Sequence, residues 1–221
     1  MDGGPRELSR FDGSGGGRKI RRMGDSEDPA GAAHQRVRVY VACSLDGFIA
    51  GPDDDLSWLH DTSGRPDAPA PPSEALEFAS FMQETGAILM GRRTYEVVKE
   101  LTTDAAWPYG DTVVLVATTR PLGATPATAK VRGKAGDIAG IIAAAKELAG
   151  DLHVYLDGGD VIRQALNEGL VDELIITFVP ILLGGGTRLF DGLVSRTSLE
   201  FTEHHRLGHD KLQVRARVRG S

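Results

Sequence analysis

Cysteine is nearly absent from the sequence, and no hydrophobic run is long enough to cross a membrane. The single cysteine, Cys43, excludes an internal disulfide and any zinc site that needs several cysteines, which is typical of a reducing compartment. The longest apolar run, residues 174–183, is interrupted by Thr177 and Pro180 and is shorter than the ~18–20 residues that span a bilayer. Residues 1–35 also lack the apolar core of a secretion signal. We therefore expect a cytoplasmic protein with no membrane partner.

Positive charge is scarce as well. The formal net charge is -6 and the sequence pI is about 5.5, with the lysines and arginines scattered along the chain. Because an electrostatic nucleic-acid binder needs a concentrated basic face, we expect no nucleic-acid partner. Residues 1–35, which are rich in Gly, Arg, Asp and Ser, predict a disordered tail. Nucleic-acid or anion binding by this tail is an alternative, and deleting the tail would then remove a salt-dependent affinity.

The remaining sequence has the pattern of one α/β domain over residues 36–218. Val37, Val39 and Val41 recur at every second position, which predicts a first strand. A strand followed by glycine and a helix occurs at residues 87–101 and again at 152–168, and residues 138–148 have the alanine-rich composition of a helix. Strands that alternate with helices predict a sheet covered by helices on its faces. Residues 198–206 and 211–218 have the pattern of two further strands around a turn at residues 208–210, which predicts an antiparallel finish.

A long polar excursion follows the first strand. Residues 51–72 separate that strand from a helix that Ser73 can cap and that ends near Gly86. Loops of this length are uncommon inside compact domains and are often functional, so we expect this one to lie over or beside a binding site. Trp58 is the side chain expected to anchor it.

Three strand ends offer groups that suit phosphate. Glycine between a strand and a helix lets a phosphate approach the free N–H groups of the helix N-terminus, and this arrangement occurs at residues 91–94 and 158–160. At the third site, a strand predicted at residues 112–117 is followed by Thr118, Thr119 and Arg120. Their two hydroxyls and one guanidinium suit a phosphate monoester. The G-x-G-x-x-G fingerprint is absent after the first strand, which disfavours a Rossmann domain.

Five segments in this order resemble those of a known family. They are SLDGFIA (residues 44–50), MGRRTY (90–95), TTR (118–120), DGG (157–159) and PILLGGG (180–186). Together they resemble the C-terminal pyrimidine reductase domain of riboflavin biosynthesis and its stand-alone relatives, within the dihydrofolate reductase-like superfamily, over residues 36–217. The resemblance implies a three-layer α/β fold with a mixed, mainly parallel sheet, helices on both faces and antiparallel C-terminal strands.

The resemblance also implies that the chain binds NADPH across the carboxyl ends of the strands. The cofactor residues that it implies are Ile49 and Ala50 beside the nicotinamide, Gly91, Arg92, Arg93 and Thr94 at the phosphates, Thr118, Thr119 and Arg120 at the adenosine end, and Gly158, Gly159 and Asp160 at the pyrophosphate. The arginines favour NADPH over NADH, because the 2′-phosphate needs a cationic partner. Relatives often form homodimers, so a homodimer is expected by analogy.

The implied reaction is hydride transfer from NADPH to a C=N or C=O bond of a small heterocyclic substrate. Asp46, in the loop after the first strand, is the candidate catalytic residue that would orient or protonate the substrate, although it could simply cap the turn at Gly47. Trp58, Glu74 and Glu77 are the candidate substrate-binding residues. Glu74 and Glu77 could equally serve the dipole of a helix start.

Other functions remain open at this point. A 5-amino-6-(5-phosphoribosylamino)uracil reductase would need a phosphate site, for which Arg65 and Lys99 are candidates, and the long insertion of residues 58–72 departs from that enzyme. A non-catalytic NADPH-binding sensor is the alternative of another class. One cysteine excludes the zinc deaminase that often precedes the riboflavin reductase domain. We predict no metal site, because neighbouring positions on a strand, such as His204 and His205, point to opposite faces.

Overall fold

The computed structural model of the chain describes residues 34–60, 74–102 and 107–220. Residues 1–33 of the predicted tail, Arg65 and the expected helix cap Ser73 lie outside them. Gln35, which was assigned to the tail, donates from Nε2 to the carbonyl oxygens of Lys146 and Gly150 at 2.8 and 2.9 Å. Among the described residues, no helix is both long enough and apolar enough to cross a membrane.

Eight strands of the described chain form one mixed sheet in the order β5-β4-β3-β6-β1-β7-β10-β9. The strands are β1 (Val37–Ser44), β3 (Thr85–Gly91), β4 (Val113–Ala117), β5 (Val131–Lys134), β6 (His153–Asp157), β7 (Glu173–Val179), β9 (Ser198–Arg206) and β10 (Leu212–Arg219). The six strands from β5 to β7 run parallel, and β10 pairs antiparallel with both β7 and β9. The sheet confirms the predicted α/β class and the antiparallel finish.

Helices cover both faces of the parallel part of the sheet. They are α1 (Phe78–Gln83), α2 (Arg92–Leu101), α3 (Ile138–Ala149) and α4 (Gly159–Asn167). The helices α3 and α4 pack on the face that holds Val37 and Val39 of β1, whereas Phe81 of α1 and Tyr95 of α2 are buried on the opposite face. Period-2 alternation along β3 shows how one strand serves both helical layers, since Leu89 lies in the core under α3 and α4 while Ile88 and Met90 lie in the core under α1 and α2.

The segment that follows β1 forms a short two-stranded sheet and two turns. Strand β2 (Phe48–Ala50) pairs antiparallel with β8 (Thr187–Arg188), and the guanidinium of Arg188 lies 4.2 Å from the centre of the Phe48 ring. Single 3₁₀ turns then follow at Pro52–Asp54 and Ser57–Leu59. The predicted excursion therefore begins as compact structure beside the main sheet.

A buried ion network ties together the amino ends of the parallel strands. Arg38 of β1, only 1% exposed, donates from Nε to Glu173 of β7 at 2.7 Å and from Nη1 to Glu84 at 2.5 Å. Arg215 of β10 reaches the other oxygen of Glu173 at 2.7 Å and Glu203 of β9 at 3.1 Å. Because Glu173 is paired on both oxygens, its burial is compensated.

Candidate functional site

The carboxyl ends of five parallel strands lie along one edge of the sheet and form a groove. Ligands of open α/β sheets bind at this edge, because side chains and helix N-termini converge there. Three cavities of about 320, 480 and 540 Å³ follow one another along it. The first and second share Arg93, Thr94 and Asp160, so the groove is continuous between them. The second and third share Thr118 and Thr119 in the same way.

The cavity of about 320 Å³, here called the tyrosine cavity, is lined by the aromatic rings of Tyr40 and Tyr155. Both hydroxyls are already bonded: Tyr155 Oη donates to the carbonyl of Tyr40 at 3.0 Å, and Tyr40 Oη donates to the carbonyl of Leu76 at 3.0 Å. Leu56 and Leu59, from the loop after β2, line the same cavity. The wall is therefore largely apolar, and its rings suit a flat ligand.

Asp157 places a carboxyl group in the tyrosine cavity at the end of β6. Its Oδ2 accepts a hydrogen bond from Tyr109 Oη at 2.9 Å. Burial raises the pKa of Asp157, and hydrogen bonds from Tyr109 and from the Gly158 N–H oppose this only in part. An aspartic acid in such surroundings holds its proton to higher pH than an exposed one, which suits a proton donor.

The cavity of about 480 Å³, here called the glycine pocket, lies between the N-termini of α2 and α4. Gly91, Thr94 and Asp160 come from these helix starts, and Lys134 comes from the end of β5. Gly158 precedes α4 with a φ of +92°, and a Cβ built there would lie 2.1 Å from Thr94 Oγ1. Only glycine therefore lets the two helix starts come this close.

The two neighbouring arginines of α2 are already engaged. Arg92 pairs with Glu96 at 2.6 Å and donates to the carbonyl oxygens of Arg120 and Pro121 at 3.2 and 2.9 Å. Arg93 Nε donates to both carboxylate oxygens of Asp54, at 2.9 and 2.7 Å, and these hydrogen bonds raise the pKa of Arg93. Each guanidinium thus holds a carboxylate of its own in the described structure, while both side chains also line the glycine pocket and Arg93 bonds Asp54 through Nε alone.

The cavity of about 540 Å³, here called the Arg120 pocket, lies at the end of β4 and includes all three residues of the TTR segment. Thr118 Oγ1 accepts from the Arg120 N–H at 3.1 Å, which fixes the turn. Within the described part of the chain, the side chains of Arg120 and Lys134 make no hydrogen bond or ion pair. These two cations remain free to meet an anionic ligand.

Asp46 lies in the loop after β1, and its carboxylate ties that loop to residues 181–184. It accepts hydrogen bonds from Ser44 Oγ at 2.6 Å and from the N–H groups of Leu183 and Gly184 at 3.1 and 2.8 Å. The hydrogen bond from Ser44, followed by that from Gly184, lowers the pKa of Asp46 to about 2. A carboxylate ionised at neutral pH cannot donate a proton, and Asp46 does not line the tyrosine cavity. These contacts favour a role in holding the loop.

The remaining predicted residues fall into two groups. Ile49 and Ala50 line the tyrosine cavity, and a Cβ at Gly159 would lie 3.0 Å from Ile49 Cδ1. Trp58 is buried and donates from Nε1 to the Asp55 carbonyl at 3.1 Å, so that it anchors the loop while its neighbours Leu56 and Leu59 face the cavity. Glu74 and Glu77 are exposed and line none of the three cavities.

Sequence reasoning did not assign a role to several groove residues. Asp157 was named only as part of the DGG segment, although a carboxylate at the end of a buried strand by itself indicates a candidate site residue. Tyr40 and Tyr155 occupy alternate strand positions whose face could be assigned only with the sheet order in hand. Lys134 is the last residue of β5. This short, mostly exposed strand has no apolar periodicity from which it could have been predicted.

The family model described as the RibD C-terminal domain matches residues 35–212 of this chain. Among curated proteins, the uncharacterized protein YwjB of Bacillus subtilis (strain 168) is 29% identical over 178 residues, covering 75% of this chain and 88% of YwjB.

Solved structures with the same fold include a protein from Shewanella sp. PV-4 that is provisionally named as a riboflavin biosynthesis protein. It is 32% identical, with a TM-score of 0.68, and the match covers 84% of this chain and 100% of that one. A diaminohydroxyphosphoribosylaminopyrimidine deaminase/5-amino-6-(5-phosphoribosylamino)uracil reductase from Thermotoga maritima gives a TM-score of 0.63 at 16% identity, over 84% of this chain and 57% of that one. At that identity, the second likeness shows the fold alone.

Proposed function

Because the chain belongs to the RibD C-terminal domain family of reductase domains, we propose that it is an NADPH-dependent reductase of a C=N or C=O bond in a small heterocyclic substrate. The observation that carries the proposal is the continuous groove, in which the glycine pocket adjoins a mostly apolar cavity lined by the half-buried Asp157. A phosphate-bearing cofactor and a flat substrate could meet there. We also propose a homodimer, for which light scattering should give about twice the 23.6 kDa of one chain.

The residues present fit the phosphates of a dinucleotide. Two helix N-termini flank the glycine pocket and direct free N–H groups into it. Gly91, Thr94 and Gly159 would approach the pyrophosphate with their N–H groups. Arg92 and Arg93 also line the glycine pocket and would contribute positive charge there, with their Nε atoms bonded to Glu96 and Asp54. Thr118, Thr119 and Arg120, with Lys134 beside them, would take the adenosine end and its 2′-phosphate.

When bound, NADPH would supply a hydride to the carbon of the substrate double bond and leave as NADP⁺. Ile49 and Ala50 would position the nicotinamide ring at the tyrosine cavity. The reduced nitrogen or oxygen of the substrate then needs a proton, and Asp157, which lines the same cavity and whose pKa is raised by burial, would donate it. The apolar part of the wall would limit the access of water to the reacting atoms.

Titration with NADPH and NADH, followed by quenching of tryptophan fluorescence, tests the cofactor. We expect NADPH to bind more tightly than NADH, and Arg120→Ala to weaken NADPH binding about tenfold or more with NADH binding unchanged. Arg132→Ala is the matched control, because Arg132 lies on β5 outside all three cavities. If neither nucleotide binds, the reductase proposal fails.

A further inference from the structure

Tyr109 is a buried tyrosine whose hydroxyl reaches the candidate proton donor. It lies in the turn of residues 107–110 that leads into β4, and only 7% of it is exposed. Its Oη donates to Asp157 Oδ2 at 2.9 Å, and no other acceptor for it occurs in the part of the chain that the structure describes. Because β3 separates β4 from β6 in the sheet, this hydrogen bond joins two segments that no strand pairing joins directly.

A second tyrosine, Tyr155, lies two positions before Asp157 on the same face of β6, but its hydroxyl hydrogen is engaged elsewhere. Tyr155 Oη donates to the Tyr40 carbonyl at 3.0 Å, and a hydroxyl has only one hydrogen to donate. Tyr109 is therefore the side chain whose hydroxyl hydrogen fixes the carboxyl group of Asp157.

The ring of Tyr109 is held by aromatic neighbours, so its hydroxyl has a defined position. Trp107 meets this ring edge to face with ring centres 5.3 Å apart, and Tyr95 meets Trp107 at 6.3 Å. All three rings belong to the core under α1 and α2. The Tyr109 carbonyl also accepts from the Thr112 N–H at 3.0 Å, which closes the turn before β4. The donor to Asp157 is thus presented by packed side chains.

The hydrogen bond from Tyr109 also affects how firmly Asp157 holds its proton. Burial raises the pKa of Asp157, and this hydrogen bond is the largest effect that opposes the rise. A donor stabilises the ionised carboxylate more than the neutral acid, and a proton donor works best when its pKa lies near the working pH. The charged groups that line the same cavity are Asp54, Arg93 and Asp160.

We propose that Tyr109 is a positioning residue for the proton transfer, because its hydroxyl holds the Asp157 carboxyl in one orientation at the tyrosine cavity and limits how firmly that carboxyl holds its proton. The O–H bond of Asp157 breaks, a bond from this hydrogen to the substrate nitrogen or oxygen forms, and Tyr109 stabilises the carboxylate that remains. Tyr109 keeps its own hydrogen, since burial and the neighbouring Asp157 raise its pKa. This inference rests on the proposed reductase function and deepens it.

Titration of the Asp157 carboxyl by carbon NMR tests the contact without substrate or cofactor. The protein carries isotopically labelled aspartate, and the Asp157 signal is the one that Asp157→Asn removes. Tyr109→Phe keeps the ring and its packing and removes only the hydroxyl, so the variant should fold. We expect it to move the titration midpoint of Asp157 upward by about one pH unit, because the ionised form loses a donor. An unchanged midpoint would overturn the proposal.

The matched control is Tyr95→Phe, which removes a buried hydroxyl from the same aromatic cluster. Among the described residues, Tyr95 Oη has no hydrogen-bond partner, and Tyr95 lines none of the three cavities. The midpoint of Asp157 should therefore stay where it is in the unmodified protein. Equal shifts in the two variants would indicate a general change in packing and would overturn the role assigned to the Tyr109 hydroxyl.

Crystal structures of the unmodified protein and of Tyr109→Phe test the orientation of the carboxyl group. We expect one orientation of Asp157 in the unmodified protein, with Oδ2 on the Tyr109 hydroxyl, and a turned or divided carboxyl in the variant. The same single orientation in both proteins would contradict a positioning role.

Failure of this inference is distinguishable from failure of the proposed function. If NADPH binds and the Asp157 midpoint does not move in Tyr109→Phe, the reductase proposal stands and Tyr109 has no positioning role. If neither NADPH nor NADH binds, the reductase proposal fails, and the role of Tyr109 in proton transfer falls with it whatever the midpoint does.

Discussion

Asp157 shows how one residue can acquire a chemical role from its neighbours. It ends a buried strand, it accepts a hydrogen bond from Tyr109, and burial raises its pKa. Asp46 has the opposite surroundings, with three hydrogen-bond donors that lower its pKa to about 2. Two aspartates of one chain are thus suited to opposite tasks, Asp157 to hold a proton and Asp46 to hold a negative charge.

Asp157→Asn should separate binding from turnover. The amide keeps the shape of the side chain but cannot pass on a proton, so we expect NADPH binding to be unchanged and the rate of NADPH oxidation with any accepted substrate to fall about 100-fold or more. In the unmodified protein, the rate should decrease as the pH rises through the raised pKa of Asp157, because the ionised form has no proton to give. Stopped-flow absorbance at several pH values measures both effects.

The control for this change is Asp151→Asn, an exposed position that precedes β6 and lines none of the three cavities. Its rate should match that of the unmodified protein. An unaltered rate in Asp157→Asn would assign the proton to another donor.

At the scale of elements, Asp46 joins two loops that bracket the small sheet of β2 and β8. Replacing it with asparagine leaves the Leu183 and Gly184 N–H groups with a weaker acceptor, so we expect Asp46→Asn to lower the thermal unfolding midpoint at pH 7. Its pKa is lowered in the folded protein from 3.8 to about 2. The stabilisation by the carboxylate is therefore complete above the ordinary pKa and is lost as the pH falls through about 2.

Thermal unfolding followed by circular dichroism between pH 7 and pH 2 measures this difference. The midpoints of Asp46→Asn and the unmodified protein should converge toward pH 2. Retained NADPH binding in the variant would agree with a positioning role, and a midpoint gap that stays constant with pH would contradict the ionic origin of the effect.

Hydrophobic periodicity predicted most helices and strands. It gave the wrong boundary where a tertiary contact determines where an element ends. The pattern at residues 138–148 predicted α3, which spans Ile138–Ala149, and residues 198–206 coincide with β9. The helix expected to run up to Gly86 spans only Phe78–Gln83, because Thr85 and Gly86 begin β3 instead. At Gly86 an added Cβ would lie 2.2 Å from the Ala149 carbonyl oxygen, a close approach between distant segments that no local pattern carries.

The residues of the site that directly follow the parallel strands were predictable from the sequence. The strand–glycine–helix pattern placed Gly91, Gly158 and Gly159 at the groove, because parallel strands bring their carboxyl ends to one edge. The partners of Arg92 and Arg93 were not predictable, since Asp54 reaches Arg93 across 39 positions of sequence. Pairing between side chains depends on how loops pack, which the sequence pattern does not encode.

For the molecule as a whole, the buried network around Glu173 should govern stability in acid. Burial raises the pKa of Glu173, but hydrogen bonds and charges from Arg215 and Arg38 outweigh this and lower it below the ordinary 4.5. The stabilisation is therefore present above that value and is lost as the pH falls through the lowered pKa. Glu173→Gln leaves buried Arg38 with only the half-exposed Glu84 as a charge partner, and we expect it to reduce the free energy of unfolding at pH 7 by about 3 kcal/mol.

Urea unfolding at pH 7 and at pH 3 measures this loss, which should shrink in acid. Glu200→Gln is the matched control, because Glu200 is a half-exposed partner of the exposed Arg217 and Arg219 at 3.8 and 3.6 Å, and the change should cost less than about 1 kcal/mol. Equal losses in the two variants would show that burial of the network does not set its contribution.

The order of the strands has a consequence for how the chain folds as it is made. Of the strands in the described part of the chain, β1 is the first to be synthesised, yet it lies between β6 and β7, where Val39 pairs with Leu156 and Leu174. Its apolar residues must therefore wait for more than half of the chain before they find either neighbour, and pairings of such long sequence separation form slowly. The sheet can thus be completed only late in synthesis, and until then the apolar residues of β1 are exposed to aggregation.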